Sequence, residues 1–410
     1  MDQHKLYRTI KALGTKKFRT DEQLLAHVLR NIIHNDEIPI KGGRIWKLEP
    51  AEGTYRLSRQ FGDMTPIAKD FRLHVSDYPP FLQLHRKGTV FAKETSRYLR
   101  KKGIRLYSAT GVGERVSWRD QTLFQYVIGI NADFMKDDMR YALNIVGHAL
   151  TSALRNRHIE SKARLLEADL DRAHDIQKSI LPEHEMRFHQ YDMYGISLPD
   201  RVVGGDFFDY LQAPGDGDRI GVVIGDAASK GLSAAAQALY VSGALRMGAE
   251  FQTKLSTLVT RINRLVHRTF TPEQFISMVY TEFTKSERGL VLYVNAGHCN
   301  PFLLRGENDA VETLPATGQL VGPFPDEQYQ FEFVLMHKGD VLLLYTDGIV
   351  EAANDRQEMY GDQRLLQALL QHRAASPKEI CQLILQDVQV YSRLGSYSDD
   401  KTLVVIKRVR

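Results

Sequence analysis

Four stretches of this sequence place an aspartate beside a glycine or a turn at the edge of an apolar run: Gly204-Gly205-Asp206, Gly225-Asp226-Ala227, Thr346-Asp347-Gly348 and Ser398-Asp399-Asp400. A strand buried by its apolar residues fixes the direction of the carboxylate at its edge, and neighbouring glycines let backbone and ion approach closely. Carboxylates gathered at one point repel one another and need a compensating charge, which hard divalent cations with oxygen ligands supply. Two such ions held by four aspartates make a nearly neutral site that binds a phosphate dianion and activates water. Each aspartate alone reads as a turn cap. The series of four is what points to a metal centre.

The elements that must position these residues are legible in the apolar patterning. YDMYGISL, RIGVVIGD, ISMVYTEF, LVLYVNAG and DVLLLYTDG read as short strands. Helical blocks at 234–249, 255–268, 363–370 and 377–394 interleave with them. Strand runs alternating with helix pairs predict an α+β fold, a two-sheet β-sandwich flanked by helices, over residues 183–410. Ahead of it, residues 156–181 contain no glycine or proline. Ile159, Ala163, Leu166, Leu170, Ala173, Gln177 and Ile180 follow steps of four and three, a heptad seam that Pro182 stops. This predicts a helical coiled-coil linker over 151–182 and a parallel homodimer through it. The other reading of the same helix is a surface helix packed on its own domain.

Residues 1–150 show a helix at 21–34 with Leu24, Leu25, Val28 and Ile32 on one face, then a hairpin around Pro50-Ala51-Glu52-Gly53. Pro79-Pro80 marks a break, 91–99 reads as a helix, and after Gly111-Val112-Gly113 a strand at 123–130 feeds a long helix from about Asp133. This order of elements resembles a GAF or PAS-like α/β sensor domain. Its signal is not named by any motif.

Read together, Arg201 to Asp209 (RVVGGDFFD), Ile224 to Gly231 (IGDAASKG), Asn295 to Pro301 (NAGHCNP), Tyr345-Thr346-Asp347-Gly348 and Ser398 to Thr402 (SDDKT) resemble the PPM (type-2C) serine/threonine phosphatases. Within that family the series looks most like the bacterial SpoIIE and sigma-regulator branch, from about Ala173 to the C-terminus. The resemblance implies a metal-dependent protein phosphatase with two divalent cations, Mn²⁺ or Mg²⁺. Asp226 would bridge the two ions, with the backbone carbonyl of Ala227 as a further ligand. Asp206 and Asp347 would hold one ion and Asp399 the other, so that Asp206 and Asp226 carry the catalysis. Arg201 stands where the wider family places a phosphate-binding arginine, whose planar fork suits phosphate. A surface arginine is the plain alternative. Asp209 reads as structural, His298 as a scaffold residue in a tight turn, and Asp400 as facing solvent. The implied substrate is a phosphoserine or phosphothreonine on a regulatory protein, a STAS-type anti-sigma antagonist in bacterial partner switching.

Two departures from the family pattern stand out. Asp226-Ala227-Ala228 lacks the histidine that type-2C enzymes often carry there as an acid. Ser229 replaces a glycine, which is strained if that position needs a positive φ.

Composition excludes several classes. A net charge of +4 over 410 residues is no nucleic-acid footprint. Two cysteines, Cys299 and Cys381, make neither a disulfide framework nor a cysteine-rich zinc site. The opening residues 1–5 lead into no apolar signal core and no run reaches membrane-spanning length, so a cytoplasmic location is expected. Gly204-Gly205-Asp206-Phe207 echoes cyclic-dinucleotide synthases, but no glutamate follows, and no phosphate-binding Walker loop is present. The rival of another class is a worn phosphatase domain that binds a partner without hydrolysis.

Overall fold

Alternating residues of a strand face opposite sides, so a run with no polar alternation must be covered on both faces. Val222–Ile224 and Val341–Leu344, in two of the apolar runs of the C-terminal half, meet that condition. The computed structural model describes residues 18–34, 40–213, 215–251, 254–393, 395 and 399–410. Residues 1–5, Ser398 and position 394 at the end of the expected last helix lie outside them. The chain divides into two compact units, Met1–Leu165 and Leu166–Arg410.

In the first unit, helix α1 (Asp21–Ile33) starts at Thr20, whose side chain accepts a hydrogen bond from the Gln23 amide, with Asp21 and Glu22 in the first turn. It buries Leu24, Leu25, Val28, Leu29 and Ile32. One antiparallel sheet holds β1 (Ile40–Glu49), β2 (Thr54–Gly62), β3 (Arg72–His74), β4 (Thr89–Lys93), β5 (Leu106–Trp118) and β6 (Gln121–Ala132) in the order β3-β2-β1-β6-β5-β4. The hairpin expected at residues 50–53 is present, closing on Glu49 opposite Thr54.

The helix expected at 91–99 is not formed. Residues 89–93 instead pair with β5, Val90 opposite Ala109, and a short helix (Arg97–Lys101) begins only after Ser96 caps it. Sheet pairing with a distant strand overrides a weak local helical pattern. Gly111-Val112-Gly113 is part of a strand. It lies within β5, where the register against β6 shifts between Val112 and Arg115. Helix α2 (Asp137–Ile180) then runs unbroken for 44 residues, from the first unit into the second.

The second unit carries two sheets. The five-stranded one contains β9 (Phe207–Leu211), β10 (Arg219–Ala227), β11 (Ile276–Thr284), β12 (Leu290–Ala296) and β15 (Glu332–Leu335), in the order β15-β12-β11-β10-β9. The six-stranded one contains β7 (Glu185–Phe188), β8 (Tyr191–Leu198), β13 (Phe302–Leu304), β14 (Val311–Thr313), β16 (Val341–Tyr345) and β17 (Lys401–Arg408), in the order β14-β13-β16-β17-β8-β7.

Val222 and Ile224 of one sheet share a core with Leu342, Leu344, Val404 and Ile406 of the other. The intervening Val223 faces outward and packs with Ala238, Val241 and Leu245 of α3 (Leu232–Glu250) and Val259 and Ile262 of α4 (Leu255–Thr269). Leu343 and Val405 face outward too, against Leu365 and Leu369 of α5 (Gly361–His372) and Ile380 and Ile384 of α6 (Pro377–Tyr391). The result is the α+β sandwich that the sequence predicts. At roughly 1.5–3 kcal/mol for each fully buried aliphatic side chain, this double burial is the main force holding the two sheets in place. Among the described residues no helix is long and apolar enough to cross a membrane.

Candidate metal centre

Antiparallel pairing gathers the aspartates. β10 runs beside β9 with Gly225 opposite Phe207, so Asp226 at the end of β10 lies next to Asp206 at the start of β9. In the other sheet Tyr345 of β16 pairs with Leu403 of β17, which sets Asp347, just past β16, near Asp399, just before β17. Each sheet therefore supplies one aspartate pair at a strand end. The Thr346 hydroxyl joins the pairs: it donates to Asp206 Oδ2 at 2.7 Å and accepts from the Thr402 amide at 3.0 Å.

The electrostatics are those of crowded carboxylates. Burial pushes the Asp226 carboxyl up to about 7, with Asp347, Asp399 and Asp400 adding to the rise and a hydrogen bond with Asp206 opposing it. Asp206 is raised well above the ordinary range, by burial first and by Asp226 next, against hydrogen bonds from Thr346 and Thr402. Burial also raises Asp347, followed by Glu351 and Asp399, with Lys230 opposing. The Lys230 ammonium lies 3.2 Å from Asp399 Oδ2.

These carboxylates share one field without closing into a cage. Among the described residues no three His, Cys, Asp or Glu side chains converge as a ready ion-holding set. The donor set still fits hard divalent cations. It is all oxygen, it is charge-crowded enough to favour added positive charge, and the backbone is open at the right point. A Cβ on Gly205 would sit 3.1 Å from the Ala227 carbonyl oxygen and 2.9 Å from the Ala234 methyl. A Cβ on Gly348 would collide with the Asp400 carbonyl oxygen.

Residues that pattern reading did not assign hold the loop bearing Asp206. Asp400, expected to face solvent, instead turns inward. Its carboxylate accepts the amides of Asp200 at 2.8 Å, Gly205 at 2.6 Å and, weakly, Asp206 at 3.4 Å. The signal was only its adjacency to Asp399. From the other side comes the last part of α2. The Gln177 side-chain amide donates to the Gly204 carbonyl at 2.8 Å and accepts from the Gly204 amide at 3.2 Å, and His174 Nδ1 lies 2.6 Å from the Val202 carbonyl. A polar residue in a heptad seam was the available clue to Gln177.

Asp209 lies away from the carboxylate group. It is buried and accepts from Arg246 Nε at 2.5 Å, and Arg246 also donates to the Ile180 carbonyl at 2.6 Å. His298 is buried too. Its Nδ1 is 2.7 Å from the Ser277 hydroxyl, its amide donates to Asn295 Oδ1, and burial lowers it to about 4, which leaves it neutral at physiological pH. Arg201 is exposed at the start of the loop. Ser229 is not among the positive-φ residues, so the strain that its replacement of glycine raised does not arise. Its hydroxyl accepts a hydrogen bond from Gln237 at 2.7 Å, and the positive φ of this loop falls on Gly231. The free cysteines Cys299 and Cys381 are half-buried and buried.

Comparisons with known proteins match the C-terminal part of the chain. The family model described as Stage II sporulation protein E (SpoIIE) matches residues 216–409, a range that contains Asp226, Asp347 and Asp399 and begins after Asp206. Phosphoserine phosphatase RsbU of Bacillus subtilis is 25% identical over 250 residues, which cover 59% of this chain and 71% of that protein. Phosphoserine phosphatase RsbP of the same organism is 25% identical over 243 residues, 58% of this chain and 57% of its own length. Among solved structures, the SiaA-PP2C domain of Pseudomonas aeruginosa superposes with a TM-score of 0.51 at 20% identity, over 60% of this chain and 98% of that domain, a likeness of fold. The C-terminal unit of this chain is similar to the SpoIIE/RsbU-like branch of the PPM protein serine/threonine phosphatases.

Proposed function

We propose that this chain hydrolyses a phosphoserine or phosphothreonine on a regulatory protein of the STAS-type anti-sigma antagonist class, using two Mn²⁺ or Mg²⁺ ions. The observation that carries the reading is the gathering of Asp206, Asp226, Asp347 and Asp399 at adjoining strand ends, with Asp226 raised to about 7 by burial and its neighbours. The names of two relatives, both phosphoserine phosphatases, support phosphoserine as the group hydrolysed.

Asp206, Asp226, the Ala227 carbonyl, Asp347 and Asp399 would hold the ions, with Asp226 between them. Bound there, the ions supply the positive charge that a phosphate dianion needs and make water nucleophilic at neutral pH. The chain's own residues do the rest. Thr346 orients Asp206 through its hydroxyl, and Asp400 with Gln177 fixes the backbone that carries it. Arg201, exposed at the start of this loop, would take the substrate's phosphate oxygens with its fork.

In this reading residues 1–150 form a sensor and α2 carries its state to the phosphatase. Ile159 and Leu166 are 55% and 63% exposed, so the upper seam is open to a second copy of the chain. Gln177, by contrast, is engaged on its own unit.

The test is turnover of a phosphorylated antagonist protein by the purified chain with Mn²⁺. Hydrolysis that EDTA stops and Mn²⁺ restores supports the proposal. Hydrolysis that survives exhaustive chelation refutes the metal reading, and stoichiometric binding without phosphate release assigns the domain to the rival class of binding modules.

A further inference from the structure

Helix α1 and strand β2 of the first unit leave an open groove of about 790 Å³ between them, within the range of about 300–1,000 Å³ typical of small-molecule sites. A β-bulge sets which side chains line it. Against β1, Arg59 lies opposite Ile45 and Leu57 opposite Trp46, so Ser58 is an extra residue on β2. Paired strand residues share a face, and Arg56 pairs with Lys47, two residues from Ile45. Arg56 and Arg59, three apart in sequence, are therefore on one side, and both line the groove with Phe61. Plain alternation would send one of them to the other face. From α1 come Glu22, His27 and Arg30, and Lys69 and Asp70 complete the rim. The loop that bears Lys69 is tied to β2 by the Gln60 side chain, which donates to the Ile67 carbonyl at 2.8 Å and accepts from the Ile67 amide at 3.0 Å.

Charge in this groove is unbalanced. Both of its acids are engaged, Asp70 with Arg56 Nη1 at 2.9 Å and Glu22 with Lys47 Nζ at 4.0 Å. Arg56 is also held by Glu49 at 2.7 Å. Among the described residues Arg30, Arg59 and Lys69 have no acidic partner, and all three are exposed. The Arg30 guanidinium instead lies 4.6 Å from the centroid of the Phe61 ring. Phe18 and His27 place their rings 5.4 Å apart at the same groove, and Phe18 and Phe61 are half-buried. Three cations without counter-charge beside partly open rings call for an occupant with several negative charges and a flat ring. We propose that this groove binds a small organic polyphosphate with a flat ring, of the nucleoside diphosphate or triphosphate class. Its phosphates meet Arg30, Arg59 and Lys69, the two guanidinium forks taking paired oxygens and the ammonium acting as a point charge. Its ring packs against Phe18 and Phe61.

Isothermal titration of the full chain in EDTA with adenosine diphosphate and with guanosine diphosphate tests this. Without divalent ions the aspartates of the second unit repel phosphate, so the heat reports a site elsewhere. Inorganic pyrophosphate and adenosine, each with half of the ligand's chemistry, are the controls. Saturable binding of either diphosphate, about tenfold or more tighter than both controls, is the expected result. The double variant Arg59→Gln, Lys69→Gln should weaken that binding about tenfold or more, with the melting temperature of the parent, since both side chains are exposed. Arg97→Gln with Arg100→Gln removes the same charge from an exposed helical stretch that does not line the groove, and should leave binding unchanged. Three results would each overturn the proposal: no saturable heat at millimolar nucleotide, pyrophosphate bound as tightly as the nucleotides, or equal losses in the two double variants.

Discussion

At the scale of single residues, the centre depends on charge that the chain itself does not neutralise. Asp226, raised by burial, also feels the charges of Asp347, Asp399 and Asp400, so Asp226→Asn should abolish turnover, a loss on the order of a thousandfold or more, equal to several kcal/mol of transition-state stabilisation. Near-normal activity of that variant is the result that sinks the two-ion reading. Burial, with the same repulsion, has a pH signature in EDTA-stripped protein. A carboxyl whose folded-state pKa is raised stabilises the fold below its unfolded pKa, and that contribution is lost as pH rises through the folded value. Relative to Asp226→Asn, the stripped parent should therefore lose stability as pH climbs from about 4 to about 7, read as the difference between two melting curves. Asp400 does not touch substrate in this scheme, yet it holds the amides of Asp200 and Gly205. Asp400→Ala should raise the Mn²⁺ concentration needed for half-maximal rate by about 10- to 100-fold, the usual effect of removing a group that positions a ligand. A Mn²⁺ titration of the initial rate measures it.

At the scale of elements, α2 is where regulation would act. Its last turns grip the Asp206 loop through Gln177 and His174, and Arg246 ties Ile180 to Asp209. A helix transmits rotation, so a change imposed above Leu170 would reach the loop that carries a ligand. Gln177→Leu removes both hydrogen bonds to Gly204 and should uncouple output from the upstream helix; its Mn²⁺ requirement should rise like that of Asp400→Ala. Replacing Leu166 and Leu170 with Asp puts like charges in the seam and should shift a dimer to monomer, which sedimentation reads directly. Deleting four residues upstream of Ala173 turns the downstream helix by roughly 40°, whereas deleting seven turns it by only about 20°. The four-residue deletion should change phosphatase rate far more than the seven-residue one. If the double Asp variant stays dimeric and both deletions behave like the parent, the helix is a passive tether.

At the scale of the whole molecule, two units with separate cores should respond separately to ligands. If the two-ion reading holds, metal binds only the folded second unit, and Mn²⁺ at about 100 times its dissociation constant should stabilise that unit by about 2.7 kcal/mol. Calorimetry of the full chain should show the transition of the second unit moving upward with Mn²⁺ while that of the first unit stays fixed. A joint shift of both would mean that the units melt as one.

The sequence by itself determined the strands of the sandwich and the series of aspartates, because both depend on local facts. A doubly buried strand must be apolar without alternation, and a carboxylate at a strand edge needs a turn beside it. YDMYGISL and RIGVVIGD accordingly appear as β8 and most of β10. Pairing in the first unit was not local in this sense: residues 91–93 belong to a strand because β5 lies beside them, which nothing in their own pattern announces. The site divides in the same way. The expectation that Asp206, Asp226, Asp347 and Asp399 belong to one group came from residue type and order. The inward turn of Asp400 and the grip of Gln177 on Gly204 were decided by tertiary structure alone, since a side chain's partner about 200 or about 30 residues away is chosen by packing, not by its neighbours in sequence.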